Sequence, residues 1–265
     1  MHETRLPLIA IDGPGAVGKS TTAKAVAQML GWAWLDTGAM YRATALALQR
    51  ANATLADCSA LETVLASLDI RQVDGREFLG EEDVTPLLRT RELARQVSTV
   101  AADPRVREFL VDWQRRIAGA GGWVVDGRDI GTTVFPDACC KIFLTADLQA
   151  RTRRRFLDLQ SRGVPESMEA VAAELRRRDV GLATRTVAPL CKAENAVELD
   201  SSGWSLDQVV GWIVDYHRCH ERGAGQPNCP ILGINAPSLP LAAPRVEHSQ
   251  DSPTTPDLDR EGPKG

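Results

Sequence analysis

The chain has 265 residues, 43% of them hydrophobic and 25% charged, which is enough for one α/β domain with an insertion or for two small domains. Its net charge of -4 and pI near 5.7 exclude a general nucleic-acid-binding protein, which needs a clustered excess of Lys and Arg. Six cysteines form no C-x-x-C pair, and no apolar run is long enough for a signal-peptide core or a membrane span, so we expect a reduced, cytoplasmic protein.

The N-terminal part reads as a strand, a helix and a second strand. The apolar run Leu8–Asp12 predicts the first strand, and Trp32–Asp36 predicts the second. Between them, apolar residues recur at i, i+3, i+4 and i+7 from Ala23, which predicts a helix over Gly18–Leu30.

Residues of about 40–105 interrupt this alternation and are expected to form an inserted subdomain. Extended-looking segments flank Asp74-Gly75 within Leu68–Leu79, which predicts a β-hairpin. A helical pattern follows over Thr90–Ala118.

Three further strands are predicted at Trp123–Asp126, Lys141–Thr145 and Ala196–Leu199, with helices between them. A last helix begins at the capping box Ser205-x-x-Gln208. Strands that alternate with helices indicate an α/β fold with a mainly parallel sheet.

The composition changes after about Arg222. Residues 223–265 contain eight of the fifteen prolines and no aromatic residue, which predicts a disordered Pro/Gly-rich tail. The alternative is a segment that binds a partner, although no repeated P-x-x-P pattern supports it. The first 222 residues are expected to form the folded domain.

The strongest motif is a complete phosphate-binding loop between the first strand and the first helix. It comprises Gly13, Pro14, Gly15, Ala16, Val17, Gly18, Lys19 and Ser20, and Thr21 follows it. Glycines let backbone N–H groups approach phosphate oxygens, Lys19 would reach the β- and γ-phosphates, and the Ser20 hydroxyl would contact Mg²⁺. The motif predicts a binding site for ATP with Mg²⁺, but it leaves the acceptor open.

A second signal is a local concentration of arginine in an acidic chain. Nine arginines lie at positions 151, 153, 154, 155, 162, 176, 177, 178 and 185, and Arg42, Arg105, Arg107 and Arg128 are further candidates. Guanidinium groups match phosphate oxygens with paired donors and can neutralise a transferring phosphoryl group. The alternative is a solvated helix face with surface ion pairs, which applies to Arg153, Arg162, Arg176 and Arg177 in particular.

No Ser-His-Asp or Cys-His set can be assembled with confidence from the four histidines. This fits an acceptor that is a phosphate monoester, because its second pKa of about 6 leaves it ionised near neutral pH. Such an acceptor needs positioning and charge neutralisation but no general base.

At this point the sequence resembles the bacterial cytidylate kinases, a type 1 family of P-loop nucleoside-monophosphate kinases, from Leu6 to about His220. The matching segments are 9–20 with the phosphate loop, 35–42 (LDTGAMYR), 104–107 (PRVR), 126–132 (DGRDIGT), 134–138 (VFPDA) and 187–190 (VAPL).

The resemblance implies a P-loop NTPase fold with a core of five parallel strands, a CMP-binding insert and a short lid at about 150–185. It also implies roles for individual residues. Those expected to bind CMP are Thr37, Tyr41, Arg42, Ser98, Arg107, Arg128, Asp129, Arg178 and Arg185. Among these, Arg107 and Ser98 would read the base, while Lys19, Arg128, Arg178 and Arg185 would be catalytic. Asp129 alone could be a turn former, and Asp126 could orient a Mg²⁺-bound water or act as a structural cap.

Two positions depart from the family pattern. Leu182 replaces the second aspartate of Arg-Asp-x-x-Asp-x-x-Arg, which would contact the ribose hydroxyl, so we expect weaker discrimination between CMP and dCMP. Ala16 stands where many relatives have glycine, which would weaken ATP binding if that position needs φ > 0.

The resulting hypothesis is a cytoplasmic, monomeric kinase that phosphorylates CMP and dCMP with ATP and Mg²⁺, with UMP as a weaker acceptor and with no nucleic-acid or membrane partner. Two alternatives remain: another P-loop small-molecule kinase, and a nucleotide-binding regulator that has lost catalysis.

Overall fold

The computed structural model describes residues 6–221, which contain eight strands and eight α-helices. The strands are β1 (Leu6–Asp12), β2 (Ala33–Asp36), β3 (Ile70–Val73), β4 (Arg76–Leu79), β5 (Glu82–Asp83), β6 (Trp123–Asp126), β7 (Ala138–Thr145) and β8 (Val197–Asp200). The helices are α1 (Lys19–Leu30), α2 (Thr37–Arg50), α3 (Cys58–Ala66), α4 (Arg91–Val100), α5 (Pro104–Ala118), α6 (Leu148–Ser161), α7 (Met168–Thr184) and α8 (Leu206–Glu221). The predicted tail, residues 223–265, lies outside the described residues.

Five strands form one parallel sheet in the order β2-β6-β1-β7-β8. Strand β1 is central, with Leu8 opposite Trp123 on β6 and Ile9 opposite Cys140 on β7. The inner strands are apolar on both faces because helices cover both sides of the sheet. The predicted α/β fold of the P-loop NTPase type is confirmed, and the five predicted strands differ from the observed ones only at their ends.

Helices α1 and α8 cover one face of this sheet. Ala23, Val26 and Ala27 of α1 are buried there, as their spacing predicts. Helix α8 begins with the predicted capping box, in which Ser205 N–H donates to Gln208 Oε1 at 2.8 Å and Gln208 N–H donates to Ser205 Oγ at 3.3 Å. Within the described residues, no helix is both long and apolar enough to cross a bilayer.

The other face of the sheet is covered mainly by α2 and α5, and the segment between them carries a small antiparallel sheet in the order β3-β4-β5. The predicted hairpin is confirmed: β3 and β4 pair, and Asp74 and Gly75 at the turn have φ of 53° and 79°. The third strand, β5, has only two residues and was not predicted. The boundaries of the insert, residues 40–105, stay a prediction.

The helical pattern Thr90–Ala118 is not one helix, and this prediction is corrected. Asp103 ends the pattern's first part and caps α5, accepting from the N–H groups of Arg105 and Val106, and Pro104 occupies the first turn. Proline cannot continue the preceding helix but suits the first turn of the next one. A five-residue π-helix, Ile130–Val134, was likewise not predicted.

Candidate active site

The phosphate-loop motif forms the turn between β1 and α1. Gly13 has φ of 149°, and a Cβ added there would lie 2.0 Å from the carbonyl oxygen of Leu144. Gly18, with φ of 97°, directly precedes Lys19, the first residue of α1. Both positions therefore require glycine, and the turn places backbone N–H groups beside the positive end of a helix dipole. This is an anion-binding geometry.

Within this loop, Ala16 has φ of 63°, in the left-handed region that disfavours side chains other than glycine. The position that many relatives fill with glycine therefore does need positive φ. Ala16 therefore has the positive φ under which we expect weaker ATP binding, and the weaker binding itself stays a prediction.

Two cationic side chains converge on the loop. Lys19 Nζ donates to the carbonyl oxygen of Pro14 at 2.7 Å, and the Arg128 guanidinium donates to the carbonyl oxygen of Gly13. Burial, together with the neighbouring Arg128, lowers the pKa of Lys19 well below its usual value. Burial, together with Arg178, lowers the pKa of Arg128 to about 10. An anion in the loop would relieve this crowding of positive charge.

Asp126, at the end of β6, connects the phosphate loop to the neighbouring strand. Its carboxylate accepts from Ser20 Oγ at 2.8 Å and from Trp34 Nε1 at 2.8 Å, and its carbonyl accepts from Thr37 Oγ1 at 2.8 Å. Burial, and then the adjacent Asp36, raise the pKa of Asp126 to about 7. A cation placed beside this carboxylate would favour its charged form.

These oxygens fit a magnesium ion that arrives with a nucleotide. Among residues 6–221, no group of three His, Cys, Asp or Glu side chains could hold a metal by itself. Magnesium does not need such a cage, because it commonly keeps waters and phosphate oxygens and takes only one or two protein ligands. Ser20 Oγ and the Asp126 carboxylate offer that type of hard oxygen.

A cleft of about 520 Å³ joins the phosphate loop to a cluster of arginines. The arginines that line it are Arg42, Arg89, Arg128, Arg154, Arg155, Arg162 and Arg178. They come from α2, the segment after β5, the loop after β6, and helices α6 and α7. The cleft therefore has phosphate-binding groups along its length, although the chain as a whole is acidic.

Arg42 is held by Asp36, the residue that ends β2 and caps α2. Its Nη2 lies 3.0 Å from Asp36 Oδ2, and Asp36 Oδ1 accepts from the N–H of Ala39 at 2.8 Å. The Nε of Arg42 is buried and has no hydrogen-bond partner among the described residues. A buried donor without a partner beside a cleft indicates a place for a ligand oxygen.

Beside the cleft, a second polar cluster is almost completely buried. Arg107 forms a close ion pair with Asp129, and its Nη1 lies 3.3 Å from Tyr41 Oη. Burial raises the pKa of Tyr41 to about 12. Arg185 lies near this cluster, because the charges of Asp129 and Arg107 both act on it. The Asp129 carboxylate thus has a buried ionic partner and does more than form a turn.

The remaining arginines of the C-terminal run divide into two groups. Arg151 joins α6 to α7 through Asp179 at 2.7 Å, and Arg154 donates to the carbonyl oxygen of Val17 at 3.0 Å. Arg162 pairs with Asp158 yet lines the cleft, whereas Arg153, Arg176 and Arg177 are exposed. Arg154 and Arg162 line the cleft, as phosphate binding requires, whereas Arg151 holds α6 to α7 and the three exposed arginines fit a solvated helix face.

Two predicted residues lie apart from the cleft. Arg105 bonds to Asp103 at 2.7 Å and to the carbonyl oxygen of Leu55 at 2.6 Å, so it fixes the start of α5. Ser98 is exposed on α4, whereas Thr21 is exposed on α1 but lines the cleft. The role of Ser98 in reading the base stays a prediction.

Arg89 and Asp36 are charged residues of the cleft that were not predicted. Arg89, in a 3₁₀ turn at Leu87–Arg89, faces Arg162 and Arg42, and no local motif marks it. Asp36 could have been found, since it ends a strand as Asp12 and Asp126 do. The carboxyl ends of parallel strands meet at one edge of a sheet, which is where ligands bind in open α/β folds.

Comparison with known proteins gives a consistent result. The family model described as "Cytidylate kinase" matches residues 9–219. The chain is 43% identical over 211 residues to a cytidylate kinase of Carboxydothermus hydrogenoformans, covering 78% of this chain and 95% of that protein. It is 46% identical over 230 residues to a bifunctional pantoate ligase/cytidylate kinase of Synechococcus elongatus, covering 83% of this chain but only 43% of that protein, so it spans less than half the length of this relative. A shikimate kinase structure from Bacteroides thetaiotaomicron aligns with 83% of the chain at 15% identity and a TM-score of 0.42.

Proposed function

The chain belongs to the cytidylate kinase family, and we propose that it transfers the γ-phosphoryl group of ATP to CMP or dCMP, which yields ADP and the nucleoside diphosphate. The observation that carries the proposal is the single cleft that joins the phosphate loop to Arg42, Arg128 and Arg178. One cleft with two anion-binding subsites suits a donor phosphate and an acceptor phosphate placed end to end.

On the donor side, the residues from Gly13 to Thr21 would bind the triphosphate. Lys19 now donates to the carbonyl oxygen of Pro14, and it would exchange this partner for a phosphate oxygen. Ser20 and Asp126 would hold Mg²⁺, which supplies charge neutralisation on the phosphates when bound. Trp34 fixes the direction of the Asp126 carboxylate through its indole N–H.

On the acceptor side, the CMP phosphate would bind between arginines. Arg42 offers its unpartnered Nε, and Arg128, Arg178 and Arg185 would neutralise the charge on the phosphoryl group as it moves. Burial lowers the pKa of both Arg178 and Arg185, so an anion that binds there is stabilised by charge that the protein does not fully compensate. No side chain needs to remove a proton, because the acceptor phosphate is already ionised, with a second pKa of about 6.

The base would be read by the buried cluster beside the cleft. The exocyclic amine of cytosine is a donor, which a carboxylate such as Asp129 accepts. Arg107, which also donates to Tyr41 Oη, holds that carboxylate in place, and Thr37 and Ser98 would complete the proposed CMP site. A purine in this position would present a different pattern of donors and acceptors and a larger ring.

We also infer that the protein acts as a monomer in the cytoplasm on small nucleotides alone, with residues 40–105 as the CMP-binding insert and residues 150–185 as a lid. The local concentration of arginine in the cleft, within a chain of net charge -4, supports a small anionic substrate over a nucleic acid or a membrane surface.

The test is ADP release from ATP and Mg²⁺ with CMP, dCMP, UMP or AMP offered in turn. We expect turnover with CMP far above AMP, and loss of turnover in Lys19→Met with a retained melting temperature. ADP release that responds to none of the four acceptors would contradict the proposal. It would favour another small-molecule kinase if a different acceptor works, or a regulator if ATP binds without turnover.

A further inference from the structure

The β3–β4 hairpin places two polar side chains, the half-buried Gln72 and the buried Glu77, where its pattern calls for apolar ones. Gln72 and Glu77 are opposite each other in the β3–β4 register, and Gln72 follows the buried Ile70 on the inward face of β3. Glu77 is only 4% exposed. Burying an amide and a carboxyl is unfavourable compared with an apolar pair unless both are hydrogen-bonded, so their presence calls for a reason beyond packing.

Gln72 is hydrogen-bonded to the backbone of Asp36, the last residue of strand β2. Its Oε1 accepts from the N–H of Asp36 at 3.0 Å, and its Nε2 donates to the carbonyl oxygen of Asp36 at 2.8 Å. The same Nε2 also donates to Glu77 Oε1 at 3.1 Å. Strand β2 is at the edge of the parallel sheet, so the Gln72 amide gives its last residue the two hydrogen bonds that a neighbouring strand would give.

Asp36 connects Gln72 to the cleft. Its backbone is held by Gln72, while its carboxylate caps α2 and holds Arg42 at 3.0 Å. Arg42 lines the cleft, and its Nε is buried without a partner among the described residues. A rotation of Asp36 would therefore move the guanidinium away from its present direction.

The turn of the same hairpin reaches the donor side of the cleft. A Cβ at Gly75 would lie 2.8 Å from Lys24 Nζ and 3.5 Å from the Trp34 ring, so the turn rests directly on these side chains. The Trp34 indole in turn donates to Asp126, the partner of Ser20. The hairpin thus contacts residues on both sides of the cleft, but it makes directional hydrogen bonds only on the acceptor side.

We propose that Gln72 is a positioning residue of the acceptor site, which acts through Asp36 to hold Arg42 in the direction that receives the acceptor phosphate. This inference rests on the proposed function and adds Gln72 to the residues that position the acceptor site. Glu77 supports the arrangement by fixing the amide of Gln72, and its own N–H is bonded to Thr85 Oγ1 at 2.8 Å.

A purely structural role makes a different prediction. Methionine has nearly the size of glutamine and is apolar, so Gln72→Met should keep or raise the melting temperature if the amide serves only to fill space. The same variant should raise the KM for CMP if the amide positions Arg42. Val73→Met is the matched control, because Val73 is the next residue on β3, so its side chain points to the opposite face from Gln72, and it is 50% exposed.

We expect Gln72→Met to raise the KM for CMP roughly fivefold to tenfold, as the loss of two hydrogen bonds implies. The KM for ATP should change less than about twofold, and Val73→Met should match the wild type. In an Arg42→Met background, Gln72→Met should add almost nothing, since its effect passes through Arg42. An unchanged KM for CMP, a rise in both KM values together with a fall in the melting temperature, or an equal rise in the KM for CMP in both backgrounds would overturn the proposal.

Hydrogen exchange in the nucleotide-free protein separates this proposal from the proposed function. The Asp36 amide should exchange faster in Gln72→Met than in the wild type or in Val73→Met, because its acceptor is gone. If the wild type fails to phosphorylate CMP, the proposed function falls, and this measurement still decides whether Gln72 holds Asp36. Equal exchange rates in all three proteins would overturn the positioning role.

Discussion

Three aspartates at the ends of adjacent parallel strands organise the cleft, each in a different way. Asp12 accepts from the N–H groups of Ile130 and Gly131 at 2.8 Å each, and burial raises its pKa to about 6. Asp36 caps α2 and holds Arg42, and Asp126 holds Ser20. The phosphate loop could be predicted from sequence because its residues are contiguous. The partners of the aspartates could not, because they depend on which strands become neighbours.

Ala16 allows a direct test of backbone strain in the phosphate loop. We expect Ala16→Gly to raise the free energy of unfolding by about 1 kcal/mol, because glycine adopts φ of 63° without the steric cost that alanine incurs. ATP should also bind somewhat more tightly, which calorimetry would measure. The control is Ala173→Gly on the exposed face of α7, which should lose about 1 kcal/mol. A loss at both positions would mean that the loop is not strained.

Leu182 provides a test of sugar selectivity. It lies on α7 four residues after Arg178, so the two share one side of the helix, and Arg185 follows directly after the helix ends at Thr184. Leu182→Asp should raise the ratio of kcat/KM for CMP over dCMP by about tenfold, because a carboxylate that accepts from the 2′-hydroxyl contributes roughly 1.5 kcal/mol or more. Ala183→Asp, at the exposed next position, should leave the ratio unchanged. If Leu182→Asp leaves this ratio unchanged, the residue at position 182 does not contact the 2′-hydroxyl of the ribose.

At the scale of elements, the sequence predicted those turns and helix starts that are determined by interactions between adjacent residues. The hairpin at Asp74-Gly75 and the start of α8 are each set by a few adjacent residues, and both were found. The break before Pro104 was missed because the apolar periodicity of α4 and α5 is nearly continuous across it. The π-helix Ile130–Val134 could not be read locally, since two of its N–H groups bond to Asp12, a residue far away in the sequence.

The hairpin also makes the stability of the protein depend on pH. Burial raises the pKa of Glu77 from 4.5 to about 8, and the charges that face it are Asp36, which raises the pKa further, and Arg42, which lowers it. The folded state therefore binds more protons than the unfolded state between these values, so Glu77 contributes a stability that is present at low pH and is lost as the pH rises to about 8.

We expect Glu77→Gln to reduce this loss of stability. The free energy of unfolding of the variant should change less between pH 5 and pH 8.5 than that of the wild type. Denaturant titrations of the nucleotide-free protein at several pH values measure the slope. Glu62→Gln, at an exposed position on α3, serves as the control and should keep the wild-type slope. If Glu77→Gln also keeps it, Glu77 is charged in the folded protein throughout this range.

At the scale of the whole molecule, the sequence predicted an α/β fold with a mainly parallel sheet but not, from its residues alone, the order of strands. Apolar periodicity marks β1, β6 and β7 as strands and gives no information about which are neighbours. The same limit applies to the cleft. The arginines of α6 and α7 form a visible cluster in the sequence, whereas Arg42 and Arg89 join them only through the fold.

The central place of β1 has a consequence for synthesis of the chain. This strand precedes the other four strands of its sheet in the chain, and both of its partners, β6 and β7, lie in the second half of the described residues. Until they emerge, a strand made almost entirely of apolar residues has nothing to pair with, and such late pairing exposes a chain to aggregation. A nascent chain arrested after Ala118 should therefore fail to retain ATP and should recruit chaperones, whereas one released through Glu221 should bind ATP. Retention of ATP by the shorter chain, measured by affinity capture of stalled ribosomes, would show that the phosphate loop can bind ATP before the parallel sheet is complete.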